Sequence, residues 1–349
     1  MIPPDLKAAP RGRCEAEVAG PIPAGQMTCT CGMGYLSGAH GRVTAVVPPL
    51  SAYGRQRRRR SGEEGGRMKP MASFASYDGT EISYRVLGDG LPLVCLPGGP
   101  GRAAEYLGDL GGLGRSRRLV LWDPRGVGVS ADPADPATFR VDRLVEDVES
   151  LRVHLGLDQM DLLAHSAGAV LATLYAAAYP QHLSRLILVT PGLAAVGVED
   201  TEEQVRAALA LRAAEPWYPA ALAALERIMA GEMSMEAFRA SRPFYYARWD
   251  DAAQAHATAG VSQRHQAARE GFFAGAAIDP PAARAALAKL TVPVLLYAGD
   301  QDPMVPPAAV REAAPLFNDA TVVVQPGAAH FPWVDDPAAF AAALNAFLS

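Results

Sequence analysis

The chain has no uninterrupted apolar run of 18 residues or more, so no segment is long enough to cross a bilayer as a helix. Cysteine is scarce: four in 349 residues, at Cys14, Cys29, Cys31 and Cys95. Only Cys29 and Cys31 stand close together, and no second pair follows them. Structural zinc takes four ligands from spaced pairs, so Cys14, Cys29, Cys31 and His40 are expected to be free side chains rather than a metal site. Positive charge is also short. The net charge is −5, which argues against a nucleic-acid partner, because that needs a clustered basic face. Near Met1, the basic residues Lys7, Arg11 and Arg13 are followed by Pro and Gly instead of an apolar core. That is not a secretory pattern, and the expectation is a cytoplasmic protein without a membrane partner.

What is abundant is apolar material, half of all residues, against one fifth charged. That suffices for a large buried core, and the length fits one big domain with an insertion, or two domains. Residues 1–70 stand apart: rich in Gly, Pro and Arg, without a period of 2 or 3.6, and containing the basic run Arg57 to Arg60. Such a segment buries too little to offset its chain entropy. It is expected to be a disordered extension, or upstream of a true start at Met68 or Met71.

From Ala72 the punctuation changes. Short apolar runs at 73–76, 81–86, 93–96, 119–122, 160–163, 186–190, 294–298 and 322–325 predict strands, the first two joined by the turn Asp78-Gly79. Helical spacing predicts helices over 141–155, 167–178, 307–316 and 337–348. Strands alternating with helices imply a mostly parallel α/β sheet covered on both faces. Residues 193–288 break the alternation. They contain no convincing strand, are rich in Ala, Glu and Arg, and predict a helical insertion between core segments 71–192 and 289–349.

The central motif is Ala164-His165-Ser166-Ala167-Gly168, after a strand and before a helix. This is the context of a nucleophile elbow, where small flanking residues let strand and helix approach around a strained serine. Asp302 follows the strand 294–298 and His330 follows the strand 322–325, so the order Ser, Asp, His holds and all three sit at strand ends. A serine hydroxyl is a poor nucleophile until a base takes its proton, and that imidazole must be held in one tautomer by a carboxylate. Asp300 is the rival acid, but Asp302 lies farther into the loop, beside Pro303. His165 adjoins the serine on a tight turn and should point away from its hydroxyl, packing under the active-site loop. His154, His182, His256 and His265 are expected on surfaces or satisfied in the core. The run Pro97-Gly98-Gly99-Pro100-Gly101 can bring backbone N–H groups to a developing oxyanion. With Ser166 attacking, the expected donors are Gly99 and Ala167, since Pro100 has no N–H.

Over residues 72–349 the chain resembles the α/β-hydrolases of the proline iminopeptidase group. The residues that carry this are Pro97-Gly98-Gly99-Pro100-Gly101, the run from Trp122-Asp123-Pro124-Arg125-Gly126 to Ser130, the Ser166 elbow, Asp302 and His330-Phe331-Pro332. The group normally has His where Pro97 stands, Gln where Pro124 stands, and Gly-Gly-Ser-Trp-Gly at the elbow. The resemblance implies an α/β-hydrolase fold with a helical cap, the triad Ser166, Asp302 and His330, and a small-molecule or short peptide substrate. It implies no cofactor and no metal. Group members bind a free substrate amine through acidic cap residues, for which Glu215, Glu226, Glu232, Glu236, Asp250 and Asp251 are candidates here. Three activities stay open: hydrolysis of a small ester, thioester or amide, release of an N-terminal residue such as proline, or ligand binding without turnover. In the cap, the aromatic run Phe244, Tyr245, Tyr246 and Trp249 is expected to contribute at least one ring to the substrate pocket. The sequence sets no oligomeric state.

Overall fold

The computed structural model describes residues 71–349 apart from Met233 and Val261. The expectations for residues 1–70, including Cys14, Cys29, Cys31 and His40, lie outside the described residues.

Eight strands form one sheet: β1 Ala72–Ala75, β2 Glu81–Leu87, β3 Leu91–Leu96, β4 Arg117–Trp122, β5 Met160–His165, β6 Leu183–Val189, β7 Val294–Gly299 and β8 Ala320–Gln325. Their order is β1-β2-β4-β3-β5-β6-β7-β8. The β1–β2 and β2–β4 pairs are antiparallel, and every later pairing is parallel. The first two strands are the hairpin that Asp78-Gly79 announces. Gly79 supplies the positive φ of 83° that the turn needs.

Eleven α-helices complete the described residues: α1 Val141–His154, α2 Ala167–Ala178, α3 Glu202–Ala210, α4 Tyr218–Met229, α5 Met235–Ala240, α6 Asp251–Ala259, α7 Gln266–Gly271, α8 Pro280–Leu287, α9 Pro307–Ala313, α10 Pro332–Asp335 and α11 Pro337–Leu348. The central strands are apolar on both sides because both sides are covered. On β5, Leu162 and Ala164 join a core that includes Leu144, Val148 and Leu151 of α1, Val170 and Leu171 of α2, and Val310 of α9. Leu163 points the other way, into a core with Tyr106, Trp333 and Phe340, Leu344 and Leu348 of α11. The period of two along one strand thus serves two cores.

Between β6 and β7 lie the six helices α3–α8, and among the described residues the one β-type pairing there is an isolated bridge from Arg264 to Arg102. This insertion is stitched to the glycine loop after β3. The Ala103 N–H donates to the Gln263 C=O at 2.8 Å, and the His265 N–H donates to the Gly101 C=O at 2.8 Å. The contact fixes the insertion over the carboxyl ends of the parallel strands, where an open α/β sheet collects its ligands.

Candidate active site

Ser166 stands between the end of β5 at His165 and the start of α2 at Ala167, and adopts φ 53° and ψ −123°. A positive φ is costly for a residue with a Cβ, so the surroundings must over-determine it. They do. The Ser166 N–H donates to the Val189 C=O of β6 at 3.0 Å, and its C=O accepts from Ala169 and Gly192, both at 2.9 Å. Gly168 is required by proximity, since a Cβ there would lie 2.5 Å from the Pro97 carbonyl oxygen. Ala164, fully buried, is small enough for the position two before the serine.

The three residues picked from chain order meet. His330 Nε2 lies 2.9 Å from Ser166 Oγ, and His330 Nδ1 lies 2.8 Å from Asp302 Oδ2. The carboxylate can only accept, so Nδ1 carries the proton and Nε2 turns its lone pair to the hydroxyl. Asp302 is fully buried, and its other oxygen accepts the Met304 N–H at 2.8 Å. Asp300 does something else: Oδ1 accepts the N–H groups of Gly327 at 2.8 Å and Ala328 at 3.3 Å, holding the turn before His330.

A second chain of hydrogen bonds runs beneath. The Gly98 N–H donates to the Tyr106 hydroxyl at 2.7 Å, and that hydroxyl lies 2.7 Å from His165 Nδ1. His165 Nε2 faces the His330 carbonyl at 2.9 Å, so Nε2 carries the proton and Tyr106 donates to Nδ1. Burial, with His330 close by, holds the His165 pKa well below its usual value, so the ring is neutral. Thr190 Oγ1 also donates to the His330 carbonyl, at 3.1 Å. His165 therefore packs under the active-site loops as its position on the turn suggested. Tyr106 gave no sequence signal, for it lies 59 residues from His165 in the chain and meets it only in the fold. Gly98 is engaged, whereas the N–H groups of Gly99 and Ala167 have no acceptor among the described residues, and both residues line the cavity that contains Ser166.

The alpha/beta hydrolase fold family matches residues 92–337. The chain belongs to that family. A proline iminopeptidase from Heyndrickxia coagulans is 34% identical over 125 residues, 35% of this chain and 43% of that protein. One from Saccharolobus solfataricus is 41% identical over 115 residues, 32% of this chain and 37% of that protein. The chain thus matches about two fifths of the length of these curated relatives. Among solved structures, an esterase from Rhodococcus sp. ECU1013 superposes with a TM-score of 0.61 at 26% identity, covering 80% of this chain and 98% of that one. A proline iminopeptidase from Mycobacterium smegmatis gives 0.61 at 23% identity, covering 79% and 97%.

In this α/β-hydrolase the serine opens into a cavity of about 390 Å³, within the range of small-ligand sites. The aromatic run of the insertion is divided by it. Tyr245 and Tyr246 are on the wall, and the Tyr245 ring lies 5.6 Å from that of His330. Phe244 and Trp249, the other two of the four rings from which at least one was expected on the wall, are not among its lining residues. Phe244 is fully buried against Trp217, Tyr218, Leu209 and Leu225 within the insertion, and Trp249 packs on Tyr246 at 5.6 Å. The reason is local: Arg242–Tyr245 is a 3₁₀ turn, which sends successive rings in different directions. The acidic candidates also stay off the wall. Asp250 caps α6 by accepting the Ala253 N–H at 3.0 Å, and Glu232 and Glu236 face Arg227.

Proposed function

We propose that this protein is a serine hydrolase that cleaves a small ester, thioester or amide through an acyl-enzyme on Ser166. The observation that carries the reading is the continuous line Asp302–His330–Ser166, with contacts of 2.8 and 2.9 Å. Ser166 Oγ attacks the substrate carbonyl carbon as its proton passes to His330 Nε2. Asp302 holds the imidazolium through Nδ1–H. The carbonyl oxygen becomes an oxyanion that accepts from the Gly99 and Ala167 N–H groups. Collapse expels the leaving group, which takes the proton from Nε2. Water, deprotonated by the same nitrogen, then attacks the acyl-enzyme and releases the acid and the free serine. Tyr245 and Tyr246 supply apolar and aromatic surface to the substrate side.

The similarity to proline iminopeptidases supports a second reading, release of an N-terminal residue. That reaction needs a group for the substrate ammonium, and no Asp or Glu is among the described residues of the wall. The absence favours an ester or amide without a free amine. Rates on p-nitrophenyl butyrate and prolyl p-nitroanilide separate the two. The ester should be turned over and the anilide should not. Ser166→Ala should lower kcat on the accepted substrate by about 10⁴-fold. Retention of more than a few per cent of activity would remove Ser166 from the nucleophile's role.

A further inference from the structure

The cavity wall has a charge pattern that ester cleavage alone does not require. It carries four arginines, Arg102, Arg242, Arg264 and Arg269, and among its described residues no Asp, Glu or Lys. None of the four is ion-paired with a carboxylate of a described residue, although the buried Arg85, Arg117 and Arg125 are; the buried Arg212, off the wall, also has no such ion pair and donates Nη1 to the Tyr246 C=O at 3.0 Å. Arg102 is the most demanding. It is 4% exposed, and its Nε donates to Gln263 Oε1 at 3.1 Å. The guanidinium lies 4.0 Å from the centre of the Tyr106 ring, a favourable place for a cation but not a neutralising one. Its Nη2 is buried with no acceptor among the described residues, beside Gly260, where a Cβ would come within 2.8 Å of it.

The other three surround the same space. Arg242 is half-buried, Arg269 is half-buried with its guanidinium 5.0 Å from the Phe238 ring, and Arg264 is at the exposed rim. Burial lowers the affinity of Arg242 for its proton, and the neighbouring Arg264 and Arg239 lower it further. Burial, with a smaller contribution from the neighbouring Arg264 and Arg242, brings the Arg102 pKa down to about 10, still charged at neutral pH. His165 contributes no counter-charge, and the Asp302 carboxylate behind His330 is engaged by Nδ1 and Met304. A desolvated guanidinium without an anion is expensive, and leaving Nη2 unpaired adds to the cost. Arg102 is on the cavity wall, and a planar guanidinium there, with Arg242 and Arg269 on the same wall, is the arrangement that receives carboxylate or phosphate oxygens.

We infer that this cavity selects substrates carrying an anionic oxygen group, a carboxylate or a phosphate, which Arg102 receives with Arg242 and Arg269 while the scissile carbonyl is held at Ser166. This rests on the reading of Ser166 for the reaction, but the charge preference is measurable without turnover. It also predicts that a substrate ammonium is disfavoured, because it would enter a field of four like charges.

The test is calorimetric binding to full-length Ser166→Ala protein. The probes are monomethyl adipate, dimethyl adipate, proline methyl ester and phenyl phosphate. Monomethyl adipate or phenyl phosphate should bind at least about tenfold more tightly than dimethyl adipate, the gain of one charge-assisted contact. Whichever of the two is tighter identifies the anionic group. Adding Arg102→Met should bring the ratio below about threefold. If that variant does not fold, Arg242→Met with Arg269→Met, nearer the surface, should reduce the ratio instead. Equal affinity for mono- and dimethyl adipate together with weak phenyl phosphate binding, tightest binding of proline methyl ester, or an anion preference that survives in folded arginine variants would overturn the inference. Loss of the hydrolase reading would show differently, as unchanged kcat in Ser166→Ala.

Discussion

At the scale of single residues, two aspartates two positions apart divide the work. Asp302 faces His330 Nδ1, whereas Asp300 ties down Gly327 and Ala328. Asp302→Asn should lower kcat by about 10⁴-fold, because an amide can present N–H to Nδ1 and favour the wrong tautomer. Asp300→Asn keeps the acceptor oxygen and should leave kcat within about threefold. Steady-state kinetics on one ester substrate decides, and equal losses would contradict the division. Ser166, Asp302 and His330 were legible in the sequence because each is announced by a local pattern, a strand ending in a small-residue or Gly/Pro turn. Arg102 and Tyr106 were not. Arg102 meets Gln263 at a separation of 161 residues, and Tyr106 meets His165 at 59, so nothing near either residue in the chain describes its environment.

At the scale of elements, the insertion shows where sequence periodicity stops being informative. The eight strands are short apolar runs closed by turn residues, and each prediction fell on an observed strand. The α3–α8 segment is helical as its composition implied, but its rings could not be sorted into packing and pocket positions. That sorting depends on the 3₁₀ turn at Arg242–Tyr245, which has no periodic signature. Phe244 and Tyr245 now have opposite expected behaviour. Phe244→Ala should cost about 3–5 kcal/mol of stability, as for a fully buried ring, and reduce activity on all substrates alike. Tyr245→Ala should change the ranking of substrates by kcat/KM with a smaller loss of stability. Denaturant titration and a substrate panel check both, and a change of ranking in Phe244→Ala would place its ring on the pocket wall after all.

At the scale of the whole molecule, the insertion and the sheet domain are joined through a titratable group. His256 of α6 contacts the Tyr246 hydroxyl through Nδ1 at 2.7 Å and faces the Tyr106 carbonyl through Nε2 at 2.9 Å. Burial lowers its pKa from 6.5 to about 4. The folded state therefore binds fewer protons than the unfolded state between those values. This contribution is present above pH 6.5 and is lost as the pH falls through 4. At about 1.4 kcal/mol per unit it amounts to roughly 3 kcal/mol. Asp200 and Asp335, both raised to about 6 by burial, act in the opposite sense, so the comparison must be with a variant. His256→Gln should show a flatter fall in melting temperature from pH 6.5 to 4 than the wild type. Parallel curves would mean that His256 does not carry the effect.

The claim on which the rest depends is that Ser166 is an activated nucleophile. Reaction with a fluorophosphonate tests it most directly, because only a serine whose proton is taken by a base attacks phosphorus and expels fluoride at useful rates. The account predicts one adduct per chain, located on the Ser166 peptide by mass spectrometry and absent in both Ser166→Ala and His330→Ala. An adduct on another residue, or labelling of Ser166 that is undiminished in His330→Ala, would contradict it.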